Sequence, residues 1–572
     1  MSRREEGDPR LDRVANHPAV VERLARLQSD QRAAATAPAG PVLCVAPAGS
    51  GKTTTLVARI AWLVDGGAEP QSICAVTFNR RAAEELRERV GAALDPLGAG
   101  LADRIRIRTF HALGMEMLRA AGHAVSPLVD RDQILQAVRP RMSVAERRRF
   151  DTVISRLKLD LDVDPAAVEA DPEAGPVART YAAYEAEIAR LGGLDFDDLV
   201  ARALRLLSDD PNALALWRAR CTHLLVDEAQ DLDRSQLRLA LLLAAPANRI
   251  FLVGDDDQSI YGWRLADVRR LLGLASEALP GLTRVDLETN YRCPEPVLAR
   301  SVRLIEHNTE RFAKVIRPRP AAEGSLILAS SAADDVDRIG AVLASWPAVD
   351  GPDAGTRAVL ARTNRELLPA AVAAIRLGLA FRAPDLVLPV ESALVDDLLG
   401  MLERDASPRN RGATPLLVRV GALRRTPAAG RKPPGESEGG FPPAETAAAI
   451  LGWAAAFPHL DDLRAAIAMM RNALTELRRD DAPLTLATAH GTKGLEFDHV
   501  AVIGLDAGRF PSARSIADAE DPNRAMEEER RLAYVAWTRA RRSLTLVYDP
   551  GAPSPFLLEA FTPEELGSTS SI

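Results

Sequence analysis

Residues 42–64 read VLCVAPAGSGKTTTLVARIAWLV. Val42 to Ala46 is an apolar, β-type run, Pro47 to Gly51 is a turn, and from Lys52 the apolar positions return with helical spacing. A strand, a Gly-rich loop and a helix N-terminus in that order form an anion cradle, because backbone N–H groups and the helix dipole face the bound oxygens. Ala46, Pro47, Ala48, Gly49, Ser50 and Gly51 would wrap a triphosphate with Thr54 behind them. Lys52 would reach its β and γ oxygens, and the Thr53 hydroxyl would bind Mg²⁺. The usual pattern opens with Gly where Ala46 stands, so a plain strand-to-helix turn also fits the stretch taken alone.

Two further apolar runs end in acids. HLLVDEAQDLD (223–233) carries Asp227 and Glu228 at the end of a predicted strand. There Asp227 can hold Mg²⁺ and Glu228 can polarise an attacking water, although an acidic pair after a strand also suits a helix N-terminus. RIFLVGDDDQ (249–258) continues into GDDDQSIYGWR (254–264), which places Gln258 near a γ-phosphate and Tyr261 and Trp263 a few residues on. Aromatic faces stack on unpaired bases without regard to sequence, for about 1–3 kcal/mol each. Core packing of the same two rings is the competing reading.

A chain of 572 residues exceeds one core and predicts several packed units. Its hydrophobic fraction of 47% and charged fraction of 26% are those of a globular protein. No run has the length and apolarity of a membrane span, and the opening MSRREEGDPRLDRVANHP has no apolar signal core, so a cytoplasmic location is expected. The net charge of −7 rules out polyanion binding through overall charge and points to a local groove. Cys44, Cys74, Cys221 and Cys293 are too dispersed for a paired metal-ligand pattern or a disulfide framework. Lysine occurs only at 52, 158, 314, 432 and 493, so each surviving lysine is expected to have a dedicated use.

Around these segments stand LQSDQRAAA (27–35), AVTFNRRAAEELRERV (75–90), TFHALGMEMLR (109–119), LETNYRCPEPVL (287–298), TAHGTKGLEFDHVAVIG (488–504) and EEERRLAYVAWTRARRSL (527–544). With the phosphate loop, VDEAQD and GDDDQSIYGWR, they make the chain resemble the UvrD/Rep/PcrA family of superfamily 1 DNA helicases from Leu27 to Leu544. The resemblance implies an α/β protein with two RecA-like parallel-sheet domains forming an ATP cleft, each interrupted by a mainly helical insertion. It implies an ATP- and Mg²⁺-dependent helicase that moves 3′-to-5′ on single-stranded DNA and meets single/double-strand junctions, in repair or replication. It also implies roles by position. Gln31 would read the adenine edge, Tyr291 would stack on the ring, and Glu496 would hold the sugar and triphosphate end. Arg292 and Arg539 would reach over from the second domain as arginine fingers. Phe78, Asn79, Thr109, Phe110, His111, Tyr261, Trp263, Arg264 and His490 would line the DNA path. Phe78 as core, and Arg530 and Arg531 as a solvated helix face, are the competing readings.

The expected layout is a first RecA-like domain at 1–111 and 200–285, interrupted by a helical insertion at 112–199. A second domain is expected at 286–382 and 484–572, interrupted at 383–483. The second insertion departs from the family: it is short, enters through APDLVLPVES (383–392), and contains TPAAGRKPPGESEGGFPPAE (426–445), which has linker composition. Residues 406–435 hold seven basic side chains (Arg409, Arg411, Arg419, Arg424, Arg425, Arg431, Lys432) and no acid, a composition that suits duplex phosphates or a solvated tail equally. The tail PSPFLLEAFTPEELGSTSSI leaves no expected room for a nuclease domain, so any nuclease would be a separate partner. Two other function classes fit parts of the pattern. One is a translocase or motor subunit with little unwinding of its own, and the other is a phosphate-loop ATPase indifferent to DNA.

Overall fold

The computed structural model describes residues 16–160, 175–347, 355–404, 416–423, 443–457 and 459–567. The chain divides into two compact units, Met1–Arg292 with Ile305–Ala321, and Cys293–Leu304 with Ala322–Ile572.

The first unit is built on strands β1 (Val42–Val45), β2 (Ile73–Thr77), β3 (Arg106–Thr109), β4 (His223–Val226), β5 (Ile250–Gly254) and β6 (Thr283–Asp286), all parallel in the order β3-β2-β4-β5-β1-β6. Successive residues of β1 point to opposite faces, and both faces are covered. Val42 and Cys44 join one apolar cluster with Ile73, Phe251 and the helix Lys52–Asp65, while Leu43 and Val45 join another with Val76, Leu224 and Leu252. Continuous apolar runs are what a parallel sheet covered on both faces requires. The carboxyl ends of β1, β4 and β5 therefore deliver the phosphate loop, Asp227–Glu228 and Asp255–Gln258 to one edge.

Three boundaries differ from expectation. Those at 111/112 and 199/200 fall inside the helices Phe110–Ala120 and Asp198–Asp209, which pack together in the sheet's own core. The two helices cross so closely that a Cβ on Gly114 would lie 2.2 Å from the Leu199 carbonyl oxygen. The helices with a core of their own are Arg131–Val138, Val144–Asp160 and Pro176–Leu191, through Ile134, Leu135, Phe150, Ile154, Tyr181, Tyr184 and Ile188. The boundary at 285/286 cuts β6, and the first unit continues through Arg292 and recovers residues 305–321. The cause is a short parallel pair, β7 (Thr289–Asn290) with β8 (Arg317–Pro318), which returns the chain to the first unit.

The second unit holds β9 (Ser325–Ser330), β10 (Arg357–Ala361), β11 (Phe381–Arg382), β12 (Leu484–Thr488), β13 (Phe497–Val502) and β14 (Ala540–Tyr548), parallel in the order β11-β12-β10-β13-β14-β9. Its described insertion helices include Ala393–Arg404, Leu416–Leu423, Pro443–Ala454 and Leu460–Leu477. Leu398, Val420, Ile450 and Leu463 share one apolar cluster with Val359, Leu486 and Ala501 of the sheet. Of the expected disordered basic linker, residues 406–415 and 424–442 lie outside the described residues, whereas 416–423 and 443–445 are helical, and the Arg419 guanidinium donates to the Leu402 carbonyl. No helix among the described residues is long and apolar enough to cross a membrane.

Candidate functional site

The phosphate loop leaves β1 with Ala46, Pro47 and Ala48 buried, and turns through Gly49 and Gly51 at φ +68° and +86°. Both angles favour glycine. A Cβ at Gly49 would also lie 2.8 Å from the Arg292 Cβ and 2.9 Å from the Asn290 amide nitrogen. Lys52 and Thr53 open the following helix half-buried, Ser50 is buried, and Thr54 is exposed. The Gln31 amide donates to the Ser50 carbonyl at 2.8 Å, which ties the expected adenine reader to the loop.

Lys52 Nζ lies 3.8 Å from Glu228 Oε2. Glu228 sits at φ +52°, a backbone state that costs a non-glycine residue about 1–3 kcal/mol and needs outside support. Gln230 supplies that support. Its Nε2 donates to Glu228 Oε2 at 2.6 Å, and its Oε1 accepts from the Asp255 N–H at 2.9 Å. Burial first, and Glu228 next, push the neighbouring Asp227 carboxyl up to about 7, with Lys52 opposing. Gln258 Nε2 donates to Asp255 Oδ2 at 2.7 Å.

The expectation that Arg292 arrives from the second domain is corrected, because Tyr291 and Arg292 are fastened to the phosphate loop within the first unit. Asn290 Nδ2 donates to the Ala48 carbonyl at 2.6 Å, the Tyr291 N–H to the Gly49 carbonyl at 2.9 Å, and the Arg292 N–H to Asn290 Oδ1 at 2.9 Å.

Beyond Gln258 the same loop enters a groove of about 1170 Å³. Phe78, Asn79, Thr109, His111, Trp263 and Arg264 line it. Phe78 stacks on Tyr261 with centroids 4.8 Å apart, Tyr261 meets Trp263 edge-on at 6.2 Å, and the Arg264 guanidinium lies 4.6 Å over the Trp263 ring. Trp263 is 57% exposed, which removes the core reading for it. Phe110 is corrected: it is 3% exposed and packs with Leu113, Leu199 and Val226 against the sheet, because it and His111 leave the helix start in different directions. The neutral form of His111 is favoured, its pKa lowered to about 4 mainly by burial.

Two family models match this chain, the UvrD/REP helicase N-terminal domain over residues 27–278 and the UvrD-like helicase C-terminal domain over residues 453–550. DNA helicase II of Escherichia coli (strain K12) is 30% identical, with 92% of this chain and 84% of that protein covered. The chain belongs to the UvrD/Rep helicase family. ATP-dependent DNA helicase PcrA of Leuconostoc citreum is 28% identical over 89% of this chain and 80% of its own length. A probable DNA helicase II homolog of Rickettsia felis is 28% identical over 91% and 92%.

In this UvrD-family chain the second unit holds the remaining expected residues. His490 follows β12, and burial, with Arg362 and Lys493, lowers its pKa to about 4. Glu496 is exposed and lies 3.4 Å from Arg541. Arg539 is 1% exposed, and its guanidinium donates to the carbonyls of Val535 (2.9 Å) and Leu495 (3.0 Å) of its own unit. The solvated-face reading of Arg530 and Arg531 fails. Both are buried, Arg530 donating twice to Glu559 at 2.8 Å and Arg531 to Glu527 at 3.2 Å.

Sequence reasoning missed Gln230, Asn290 and Phe196. The Phe196 ring stacks on His111 with centroids 3.9 Å apart and lines the groove at 56% exposure. An isolated aromatic among acids, LDFDD (194–198), was its only local signal.

Proposed function

We propose that this ATP-dependent DNA helicase advances 3′-to-5′ along single-stranded DNA and separates duplex at the junction, serving repair or replication in the cytoplasm. The observation that carries the reading is one continuous loop, in which Gln258 is hydrogen-bonded to Asp255 at the end of β5, the strand beside β1, while Trp263 lines the groove with Tyr261 edge-on against it. Hydrolysis at one end of the loop can then alter the grip on bases at the other.

The nucleotide end rests on residues of the first unit. The phosphate loop and Lys52 would hold the β and γ oxygens through backbone donors and one ammonium. Gln31 and Tyr291 would fix the base, Glu228 would orient the attacking water, and Arg292 would stabilise transferred charge. Thr53 and Asp227 fit Mg²⁺, since a hydroxyl and a buried carboxyl held above its usual range are oxygen donors short of positive charge. Bound there, Mg²⁺ would neutralise charge on the β and γ oxygens. Glu496, Arg539 and His490 enter the proposal by family position alone.

At the DNA end the exposed Trp263 face and the Phe78–Tyr261 stack supply flat surfaces, and Arg264 adds a cation over two of the rings. Asn79, Thr109 and His111 complete the lining with groups that can meet sugar, phosphate or base. Strand displacement on 3′-tailed and 5′-tailed duplexes, with ATPase measured on the same substrates, tests the reading. Unwinding from 3′ tails with DNA-stimulated hydrolysis is expected, and a preference for 5′ tails contradicts the polarity.

One observation favours a second reading, a DNA-stimulated motor that unwinds little without a protein partner such as a separate nuclease. The described helices of the second insertion share the apolar cluster of the sheet, which supports a fixed extension better than an independent duplex-gripping body. DNA-stimulated ATPase without strand displacement by the purified chain, with displacement restored by a partner, would select it.

A further inference from the structure

Lys314 lies in the segment that returns to the first unit, and its side chain is 1% exposed. Its Nζ donates to Asp255 Oδ1 at 2.7 Å and Asp256 Oδ1 at 2.5 Å, and stands 2.9 Å from Asp257 Oδ2. Arg311 forks Asp257 at 2.9 and 2.8 Å, and the Phe312 N–H donates to Asp256 Oδ2 at 2.8 Å. Three adjacent carboxylates withdrawn from water repel one another unless cations are held against them, and this segment supplies both.

Asp255 links this cluster to the nucleotide site. One oxygen takes the Lys314 ammonium and the other takes the Gln258 amide, while the Asp255 N–H is held by Gln230, the residue that also holds Glu228. Three residues past Lys314, β8 pairs with β7, and the Arg319 N–H donates to the Asn290 carbonyl at 2.9 Å, next to Tyr291 and Arg292. One short strap therefore touches the γ-phosphate loop and the Tyr291–Arg292 segment.

We infer that Lys314 is a positioning residue for hydrolysis: by fixing Asp255 from one side, it turns the Gln258 amide toward the γ-phosphate. The inference rests on the reading of Gln258 given above. It requires Lys314 to act through Gln258, so the two side chains cannot contribute independently to turnover.

The test is a double-mutant cycle in the full chain, reading kcat and KM for ATP at saturating single-stranded DNA, with a thermal melt for each variant. Lys314→Met is expected to lower kcat about tenfold or more while KM changes less than about threefold. Lys314→Met/Gln258→Ala is expected to be no slower than the slower single variant. A folded Lys314→Met with kcat within about twofold of wild type, or kcat losses that multiply in the double variant, overturns the inference. Should Lys314→Met fail to fold, Asp255→Asn decides. It leaves Lys314 two carboxylates but breaks the relay, so the kcat loss should appear at an almost unchanged melting temperature, and normal kcat overturns the inference. A normal kcat in Gln258→Ala sinks the reading of Gln258 and the inference with it, whereas loss there with normal Lys314→Met and Asp255→Asn sinks the inference alone.

Discussion

After β1 the chain turns through Pro47–Gly51 into the helix Lys52–Asp65, and after β9 it turns through Ser331–Asp334 into the helix Asp335–Ser345. Both turns leave the first strand of a six-stranded parallel sheet. The first helix has no acid in its opening turn and begins on a left-handed glycine, so its N–H groups and dipole remain available to an anion. The second is capped by Asp334, which accepts from the Asp337 N–H at 2.9 Å, and it carries Asp335 and Asp337 in its first turn. Asp335 is in turn held by Arg509 at 2.9 Å. The positive end of that helix is already neutralised from within. Two six-stranded parallel sheets, which also differ in strand order, thus differ in chemistry at these turns through a few residues, which is why a site has to be argued from its groups and not from its fold.

The largest effect that would break this contrast is on hydrolysis. Lys52→Ala is expected to lower ATP turnover by about a thousandfold or more with both sheets intact by circular dichroism, since an ammonium against the β and γ oxygens is lost. Near-normal turnover would mean that the first turn is no more a phosphate site than the second. Arg292→Ala, whose backbone is fastened to the loop through Asn290, is expected to reduce kcat by tens to hundreds of fold with a smaller change in KM, the pattern of a group that acts on the transition state. Steady-state kinetics that show only a KM effect would remove the finger role. A smaller effect sharpens the comparison through two helical glycines. Gly114→Ala meets the Leu199 carbonyl and is expected to destabilise the first unit by about 1–3 kcal/mol. Gly340→Ala in the second unit has no neighbour nearer than the Ala373 Cβ at 4.0 Å, so the better helix former is expected to stabilise it by about 0.5–1 kcal/mol. Denaturant melts check both, and equal shifts would contradict the packing difference.

The parts of the fold and site that were legible in the sequence are those encoded locally. VLCVAPAGSGKTTT, HLLVDE and RIFLVGDDDQ each contain a whole strand-to-loop passage, and the structure forms each one. The scarcity of lysine was informative too: Lys158 and Lys314 are both buried among three carboxylates. What stayed hidden depends on distant pairing. Nothing near Arg530 announces Glu559, which lies 29 residues on, so a solvated face stood as a competing reading of a buried ion pair. Phe110 and His111 are neighbours in sequence, yet one enters the core and the other the groove, a distinction set by the helix direction after β3. The return of residues 305–321 to the first unit through β7 and β8 involves strands too short to be seen as strands, and it decides where Tyr291 and Arg292 sit.

The central claim is that one loop joins phosphate sensing at Gln258 to base stacking at Trp263. The most direct test is ATPase of Trp263→Ala with and without single-stranded DNA, beside unwinding and a thermal melt. Loss of a stack worth about 1–3 kcal/mol lets the strand slip. The account predicts unchanged DNA-free hydrolysis, an unchanged melt, and unwinding and DNA stimulation reduced by about 5- to 150-fold. A lowered melt with all activities falling together, or full DNA stimulation in the variant, would contradict it.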